Sequence, residues 1–410
     1  MPPDELDKLL AAELDALDQQ HLLRRRRVAS SLDATHVEID GRRHVNFASN
    51  NYLGLTHHPR VIEAARGAMA THGLGSGAAP LVSGYSAEHA AAEGAIARWK
   101  GTEAAVLLPS GFQANHAAVG TLAAVATAAG RSVRFLIDKL AHASLIDAVR
   151  STGAEFRVFP HNGIAKLSRL LREAAPDQLE VVVTESIFSM DGDAADLAAL
   201  AELKRNHPFI LLLDEAHGSG VYGAAGAGYA AELGLPEAVD LSIITLSKAL
   251  GGVGGAVCGS HRLCDAVVNF GRAYLFSTSL PPAVAAAAVG GLQVLRDEPW
   301  RQERVRSLAR RVREELTAAG LRIPAGDSPI IPIILGSEEM ALAASRNLQE
   351  RGLLVVAIRP PTVPRGTSRL RVTLSCEHTD AEVSCLIESL RGMVGSVPSP
   401  GTPAEGWGGG

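Results

Sequence analysis

A chain of 410 residues, 47% of them hydrophobic, is long enough to bury a large core and to form more than one domain. A net charge of -5 with both signs interspersed offers no basic face, which excludes nucleic acid as an expected partner. The four cysteines, Cys258, Cys264, Cys376 and Cys385, show no CxxC spacing, so neither a metal site nor a disulfide framework is expected, and they read as reduced core residues.

Residues 4–30 have the spacing of an amphipathic helix ending in "LLRRRR", without the basic-then-apolar pattern of an export signal. "HVEIDGRRHVNFAS" predicts a small hairpin turning at Asp40-Gly41, and residues 1–50 together read as an arm. From about residue 60, short apolar runs ("AAVLLP", "VRFLID", "EVVVTES", "FILLLDEAH", "LSIITLS") alternate with alanine-rich helical stretches. Such βα alternation predicts an α/β domain over 51–285, with a mainly parallel sheet between two helical layers. "GFQANHAAVGTLAAVATAAG" is too polar and too rich in alanine for a membrane span and predicts a buried helix; no membrane association is expected and the chain reads as cytoplasmic. A charged helix and further apolar runs over 286–393 predict a smaller α+β domain. The tail 394–410, rich in Pro, Gly and Ser, reads as disordered.

The apolar runs end in Ser110-Gly111, Asp138, Glu185-Ser186, Asp214-Glu215 and Ser247-Lys248. Ligands gather at the carboxyl ends of strands in open α/β sheets, so these endings predict one shared site. "DEAH" at 214–217 also occurs in nucleotide-driven helicases, but no lysine here follows a glycine, so the required phosphate loop is missing. Asp214 as a plain helix cap with His217 packed on the surface stays open on this motif alone. "GLGSGA" at 73–78 matches a dinucleotide pattern, yet no strand precedes it and Pro80 interrupts the helix that should follow.

Lys248, among small residues in "SKALGG", has the setting of a lysine that forms a Schiff base with pyridoxal phosphate. That cofactor's ring nitrogen needs a carboxylate, which Asp214 could supply. Its phosphate needs backbone N–H groups at a helix start, and "PSGFQANHA" offers them at Ser110-Gly111-Phe112. His142 follows a strand and could lie flat on a ring, or simply begin a helix.

Taken together, "NFASNNYLGL", "LVSGYSAEHAAAE", "PSGFQANHA", "HASL", "TESIFSMDGD", "LLLDEAHGSGVYG", "TLSKALGG" and "FSTSLPP" resemble, in their order and over about residues 20–390, the α-oxoamine synthases. The resemblance implies a fold-type I pyridoxal phosphate transferase, with a three-layer α/β/α large domain and a smaller α+β C-terminal domain. It implies a homodimer and the condensation of an amino acid with an acyl thioester, with loss of carbon dioxide. "AIRPPTVPRGTSRLRVTLSCEHT" looks most like the branch that joins L-alanine to a pimeloyl thioester, on coenzyme A or a carrier protein, on the route to biotin. Glycine or serine donors with other acyl chains, and a non-catalytic subunit of the same fold, are the alternatives.

Residue by residue, the resemblance implies Lys248 as the cofactor-linked acid/base, Asp214 at the ring nitrogen, His217 at the ring's phenolic oxygen and His142 stacked on the ring. Gly111 and Phe112 would offer backbone to the cofactor, with Ser189 and Thr245 at its ring and phosphate. Arg359 would hold the amino-acid carboxylate, and Arg24, Asn50 and Thr362 match substrate-contacting positions. Ala79-Pro80 stands where many relatives carry a small polar residue and arginine, on the acyl-thioester side.

Overall fold

A computed structural model describes residues 3–393, in two compact units; the tail expected at 394–410 lies outside the described residues. One unit comprises residues 50–307 and 375–377, and the other is formed from residues 1–49, 308–374 and the segment beginning at His378.

The larger unit is built on a seven-stranded sheet in the order Ala104–Leu108, Gly255–Gly259, Leu241–Thr245, Ile210–Asp214, Gln178–Glu185, Ser132–Asp138, Glu155–Phe159. Gly255–Gly259 runs antiparallel to both neighbours, and every other pair is parallel. The strands alternate apolar side chains between two faces, as the period of two requires. Val133, Phe135, Ile137, Val181, Val183 and Leu212 pack with the helices Gly111–Ala128 and Ala143–Ser151. Leu136, Val182, Leu211 and Leu213 face the other way, against Ile164–Arg172 and Leu197–Asn206. Both faces are therefore covered, giving a three-layer α/β/α core. The alanine-rich helix Gly111–Ala128 is a buried element of that core, and no described helix is long and apolar enough to cross a membrane.

In the smaller unit, the predicted hairpin forms between His36–Ile39 and Arg42–Asn46. Asp40 and Gly41 both take positive φ, as a two-residue hairpin turn demands. Leu353–Leu354 adds a parallel strand to this sheet, and Ile330–Gly336, Ser368–Thr373 and Val356–Ile358 form a three-stranded antiparallel sheet.

Two expectations need correction. The first helix is Pro3–Gln19 and stops well before residue 30. His21 takes φ 57°, Leu22 N–H bonds to Leu17 C=O and His21 N–H to Asp18 C=O, a left-handed cap that ends the helix before the arginine run. Cys258, Cys264 and Cys376 are buried, with thiols pushed up to about 12 chiefly by that burial, but Cys385 is exposed on the outer face of helix Asp380–Arg391.

Candidate active site

The parallel strands deliver their terminal residues to one edge of the sheet. Register pairs Glu185 with Asp214, and Asp214 with Ile243 two residues before Thr245. From Thr245 the chain enters the loop that carries Lys248 and returns through Gly255–Gly259. The loop closes on itself, with Leu246 N–H bonded to Gly254 C=O at 2.9 Å and Gly252 N–H to Leu246 C=O at 2.8 Å. The glycines at its end are required by close approach: a Cβ on Gly255 would sit 2.7 Å from Gly111 Cα. Gly255 thus lets the start of helix Gly111–Ala128 lie against the strand beside the lysine loop.

Half-buried Lys248 places Nζ 2.9 Å from Nε2 of His217, which is itself buried. Asp214 is 5% exposed, and both its oxygens are engaged: Asn115 Nδ2 donates to Oδ2 and Ala216 N–H to Oδ1, each at 2.9 Å. Within "DEAH", Glu215 does a separate task, accepting from Tyr229 and Ala230 N–H at 2.9 Å and tying down the following loop.

His142 caps helix Ala143–Ser151, its Nδ1 accepting from Ser144 N–H at 3.2 Å. Although the residue is exposed, desolvation by the surrounding protein holds its pKa below the ordinary value; Asp214 opposes this and Lys248 reinforces it. His142 thus starts a helix and also lies in the electrostatic field of Asp214 and Lys248. Ser110 caps Gly111–Ala128 by accepting from Gln113 N–H at 3.1 Å, which leaves the first N–H groups of that helix, including Gly111 and Phe112, to be satisfied from outside the helix. Thr245 approaches the same point: a Cβ on Gly111 would lie 3.4 Å from Thr245 Cβ, and Thr245 Oγ1 is 2.7 Å from Ser247 Oγ.

Ser189 is held on the turn after Glu185, one of the strand endings expected at the shared site. Glu185 accepts backbone hydrogen bonds from both His142 and Ser189, while its Oε1 has no hydrogen-bond partner among the described residues. Burial, and then the charge of Asp214, push its carboxyl well above the usual range. Asn115 and Tyr52 were not among the residues that the sequence singled out. Tyr52 Oη lies 2.5 Å from His217 Nδ1, and neither Asn115 nor Tyr52 belongs to a strand end.

Asn50 lies in this unit and accepts from Tyr52 Oη at 3.2 Å. The other expected substrate residues are in the smaller unit, where they gather: Arg24 Nη2 donates to Pro360 C=O at 3.0 Å, Arg359 donates to His21 C=O, and Thr362 N–H bonds to Arg359 C=O at 3.2 Å. Burial and the nearby Arg24 guanidinium both lower the pKa of Arg359.

The donor set fits pyridoxal phosphate. It presents an amine for the aldehyde at Lys248, a buried carboxylate with spare acceptor capacity for a protonated ring nitrogen at Asp214, and backbone N–H groups with hydroxyls for a phosphate at Gly111, Phe112, Thr245 and Ser247. Among the described residues, no group of three or more His, Cys, Asp or Glu could hold a metal ion.

Residues 42–390 match the aminotransferase class I and II family. The chain is 44% identical over 382 residues to an 8-amino-7-oxononanoate synthase of Stutzerimonas stutzeri, covering 93% of this chain and 95% of that one. It is 40% identical over 396 residues to an 8-amino-7-oxononanoate synthase of Cellvibrio japonicus, covering 96% and 98%. Among solved structures it resembles a serine palmitoyltransferase from S. paucimobilis with a TM-score of 0.89 at 30% identity, covering 97% and 99%. The 8-amino-7-oxononanoate synthase of Francisella tularensis superposes with a TM-score of 0.74 at 26% identity, over 86% and 98%. With this fold, this strand-end constellation and relatives matched over nearly their whole length, the chain belongs to the aminotransferase class I and II family and, within it, to the α-oxoamine synthases.

Proposed function

We propose that the protein condenses L-alanine with a pimeloyl thioester to give 8-amino-7-oxononanoate, carbon dioxide and the free thiol, a step of biotin synthesis. It is a pyridoxal phosphate-dependent acyltransferase. The observation that carries the reading is the meeting of Lys248 Nζ and His217 Nε2 at 2.9 Å, on the same strand edge as buried Asp214, in a chain 44% identical to a synthase of that name.

The bound cofactor supplies an aldehyde for covalent attachment and a protonated ring that draws electrons from the amino-acid α-carbon. Lys248 would hold the cofactor's aldehyde through its amine and, with the substrate's amino group in that place, its freed amine would take the α-proton and later return it. Asp214 holds the positive ring nitrogen, and Asn115 and Ala216 N–H fix the carboxylate's direction. His217 would serve the cofactor's phenolic oxygen, His142 would cover its ring face, and Ser189 and Thr245 would contact ring and phosphate. Gly111 and Phe112 lend N–H groups to the phosphate. Arg359 pairs with the alanine carboxylate, a planar bidentate task, with Arg24, Asn50 and Thr362 on the substrate.

A carbon–carbon bond forms between the alanine α-carbon and the thioester carbonyl as the carbon–sulfur bond breaks, and the departing thiolate takes a proton from solvent; the carboxylate then leaves as carbon dioxide, and the electron pair left on the α-carbon takes up the proton that Lys248 removed.

The active species in this reading is a cytoplasmic homodimer. The large unit exposes apolar side chains at Leu74 (77%), Leu81 (57%), Val82 (80%) and Phe276 (73%), side chains that a second subunit would cover in this reading. All four cysteines are free thiols, which suits a reducing compartment.

The test is thiol release from pimeloyl-coenzyme A, and in parallel from a pimeloyl carrier protein, with L-alanine, glycine or L-serine as donor. Release with L-alanine, absent from Lys248→Ala, is expected. Preference for glycine or serine would move the protein to another branch of the family, and no release from either acyl donor would overturn the catalytic reading.

A further inference from the structure

Lys100 is the last residue of helix Ala87–Lys100, and its side chain is only 5% exposed. A lysine taken out of water needs oxygen partners for its three donors, and here one loop, 215–230, supplies them. Nζ lies 3.7 Å from Glu215 Oε2, donates to Ser219 Oγ at 3.3 Å and donates to Ala227 C=O. The neighbouring Trp99 donates its indole N–H to Ala225 C=O at 2.8 Å, so the helix end grips the loop with two side chains. Space around the amine is closely filled. A Cβ on Gly228 would lie 2.5 Å from Lys100 Nζ, and one on Gly218 would lie 2.8 Å from Glu215 Oε2.

Two of the three partners bracket His217. Residues 215–219 form a single turn, in which Gly218 N–H and Ser219 N–H bond to Glu215 C=O at 3.1 and 2.8 Å. Glu215 opens that turn and Ser219 closes it. His217 stands between them, with Nε2 2.9 Å from Lys248 Nζ. Glu215 also ties the turn forward, because its two carboxylate oxygens accept from Tyr229 and Ala230 N–H. Without Lys100, a buried carboxylate would lose its counter-charge and Ser219 Oγ its donor, so both ends of the turn would be loosened together.

We propose that Lys100 is a positioning residue that fixes the turn 215–219 and thereby holds the His217 ring against Lys248. It acts through the loop backbone and takes no part in the bond changes. The hold on the turn stands on the geometry alone; its consequence for the reaction rests on the reading of this pocket as the cofactor site.

The test compares the full-length wild type with Lys100→Met, which keeps the length of the arm and removes its charge and donors. In the cofactor-free proteins, amide hydrogen exchange at residues 216–220 and 229–230 is expected to be about tenfold to a hundredfold faster in the variant, the scale of one lost hydrogen bond to a charged group, with the central strands unchanged. In the proteins loaded with pyridoxal phosphate, the pH midpoint of the cofactor's absorbance change is expected to move by about one unit, the scale on which a displaced hydrogen bond or charge acts. The same substitution in a His217→Asn background is expected to leave the midpoint where His217→Asn alone puts it. A role in packing alone would loosen the whole unit, and would move the midpoint equally in both backgrounds or not at all. Either that pattern or unchanged exchange in the turn overturns the proposal. If Lys100→Met does not fold, Ser219→Ala removes one partner of the amine, and exchange in the turn about twofold to tenfold faster is expected, with no change counting against the proposal. Failure of the wild type to bind pyridoxal phosphate would sink the reading of the site, while the cofactor-free exchange still decides whether Lys100 holds the turn.

Discussion

Asn115 and Asp214 stand 99 positions apart in the chain and meet at 2.9 Å, the amide Nδ2 donating to the carboxylate Oδ2. The same amide nitrogen donates to Ser144 Oγ at 2.9 Å, so a helix inside the core aims the carboxylate. A hydrogen bond to a charged group contributes about 1.5–3 kcal/mol. Asn115→Ala is therefore expected to weaken pyridoxal phosphate binding by roughly tenfold to a hundredfold. Absorbance titration of the cofactor-free protein measures this, and unchanged affinity would remove Asn115 from the site.

Burial, and then the charge of Asp214, push the Glu185 carboxyl well above the usual range, so glutamine should replace it with little change of shape. Glu185→Gln is expected to keep thiol release at pH 7 within about threefold of wild type, a change of less than 1 kcal/mol in barrier. Glu185→Ala is expected to lose far more, because His142 and Ser189 lose the acceptor of their backbone N–H groups. A folded-state pKa above the ordinary value means that this group's stabilising contribution is complete below about pH 4.3 and is lost as pH rises through the raised value. Melting curves across pH should accordingly fall less steeply on the alkaline side in Glu185→Gln; equal slopes would mean that Glu185 is charged.

His161 joins the ends of two strands. Its Nδ1 lies 3.1 Å from Asp138 Oδ1 and its Nε2 lies 2.6 Å from Asp193 Oδ2. Burial alone would lower its pKa, but the two carboxylates outweigh that and raise it to about 10. The stability it contributes is thus full below about pH 6.5 and disappears as pH rises through about 10. His161→Asn is expected to cost about 1–2 kcal/mol in urea unfolding at pH 6. The cost should shrink towards pH 10, and an equal cost at both pH values would show that charge has no part in it.

Gly255→Ala would drive a methyl group to 2.7 Å from Gly111 Cα and 2.8 Å from Gly111 N. Those are backbone atoms and cannot swing aside, so the helix start must shift. A loss of about 1–3 kcal/mol in stability is expected, as for other overpacked cores. Cofactor affinity should fall with it, since the displaced N–H groups are those assigned to the phosphate. Loss of stability without loss of affinity would separate this helix start from the site.

The residues proposed to carry the chemistry were legible where the chain announces them by a change of character. Asp214 and Lys248 end apolar runs, and the sheet's parallel order brings such endings to one edge. Tyr52 and Asn115 make no such break: one lies in a turn far upstream and the other inside an alanine-rich helix, and only the packed fold turns them toward His217 and Asp214. The end of the first helix was hidden for a different reason. A left-handed cap is usually marked by glycine, and here histidine occupies it, so the amphipathic spacing alone extended the helix too far. Cys385 was misread because an apolar neighbourhood in sequence does not say which side of a helix a residue takes.

The single reversed strand, Gly255–Gly259, gives Lys248 its mechanical character. Because it runs back beside Leu241–Thr245, the lysine's loop is tethered at both feet to adjacent strands of the same sheet, and Leu246 and Gly254 are stitched directly to one another. In the proposed reaction, an amine that lets go of one partner and later comes back would have little backbone travel at its disposal. Its excursion is that of a short, flexible four-carbon arm swinging from a fixed post, and the reach of that arm sets how far the amine can withdraw and how readily it returns.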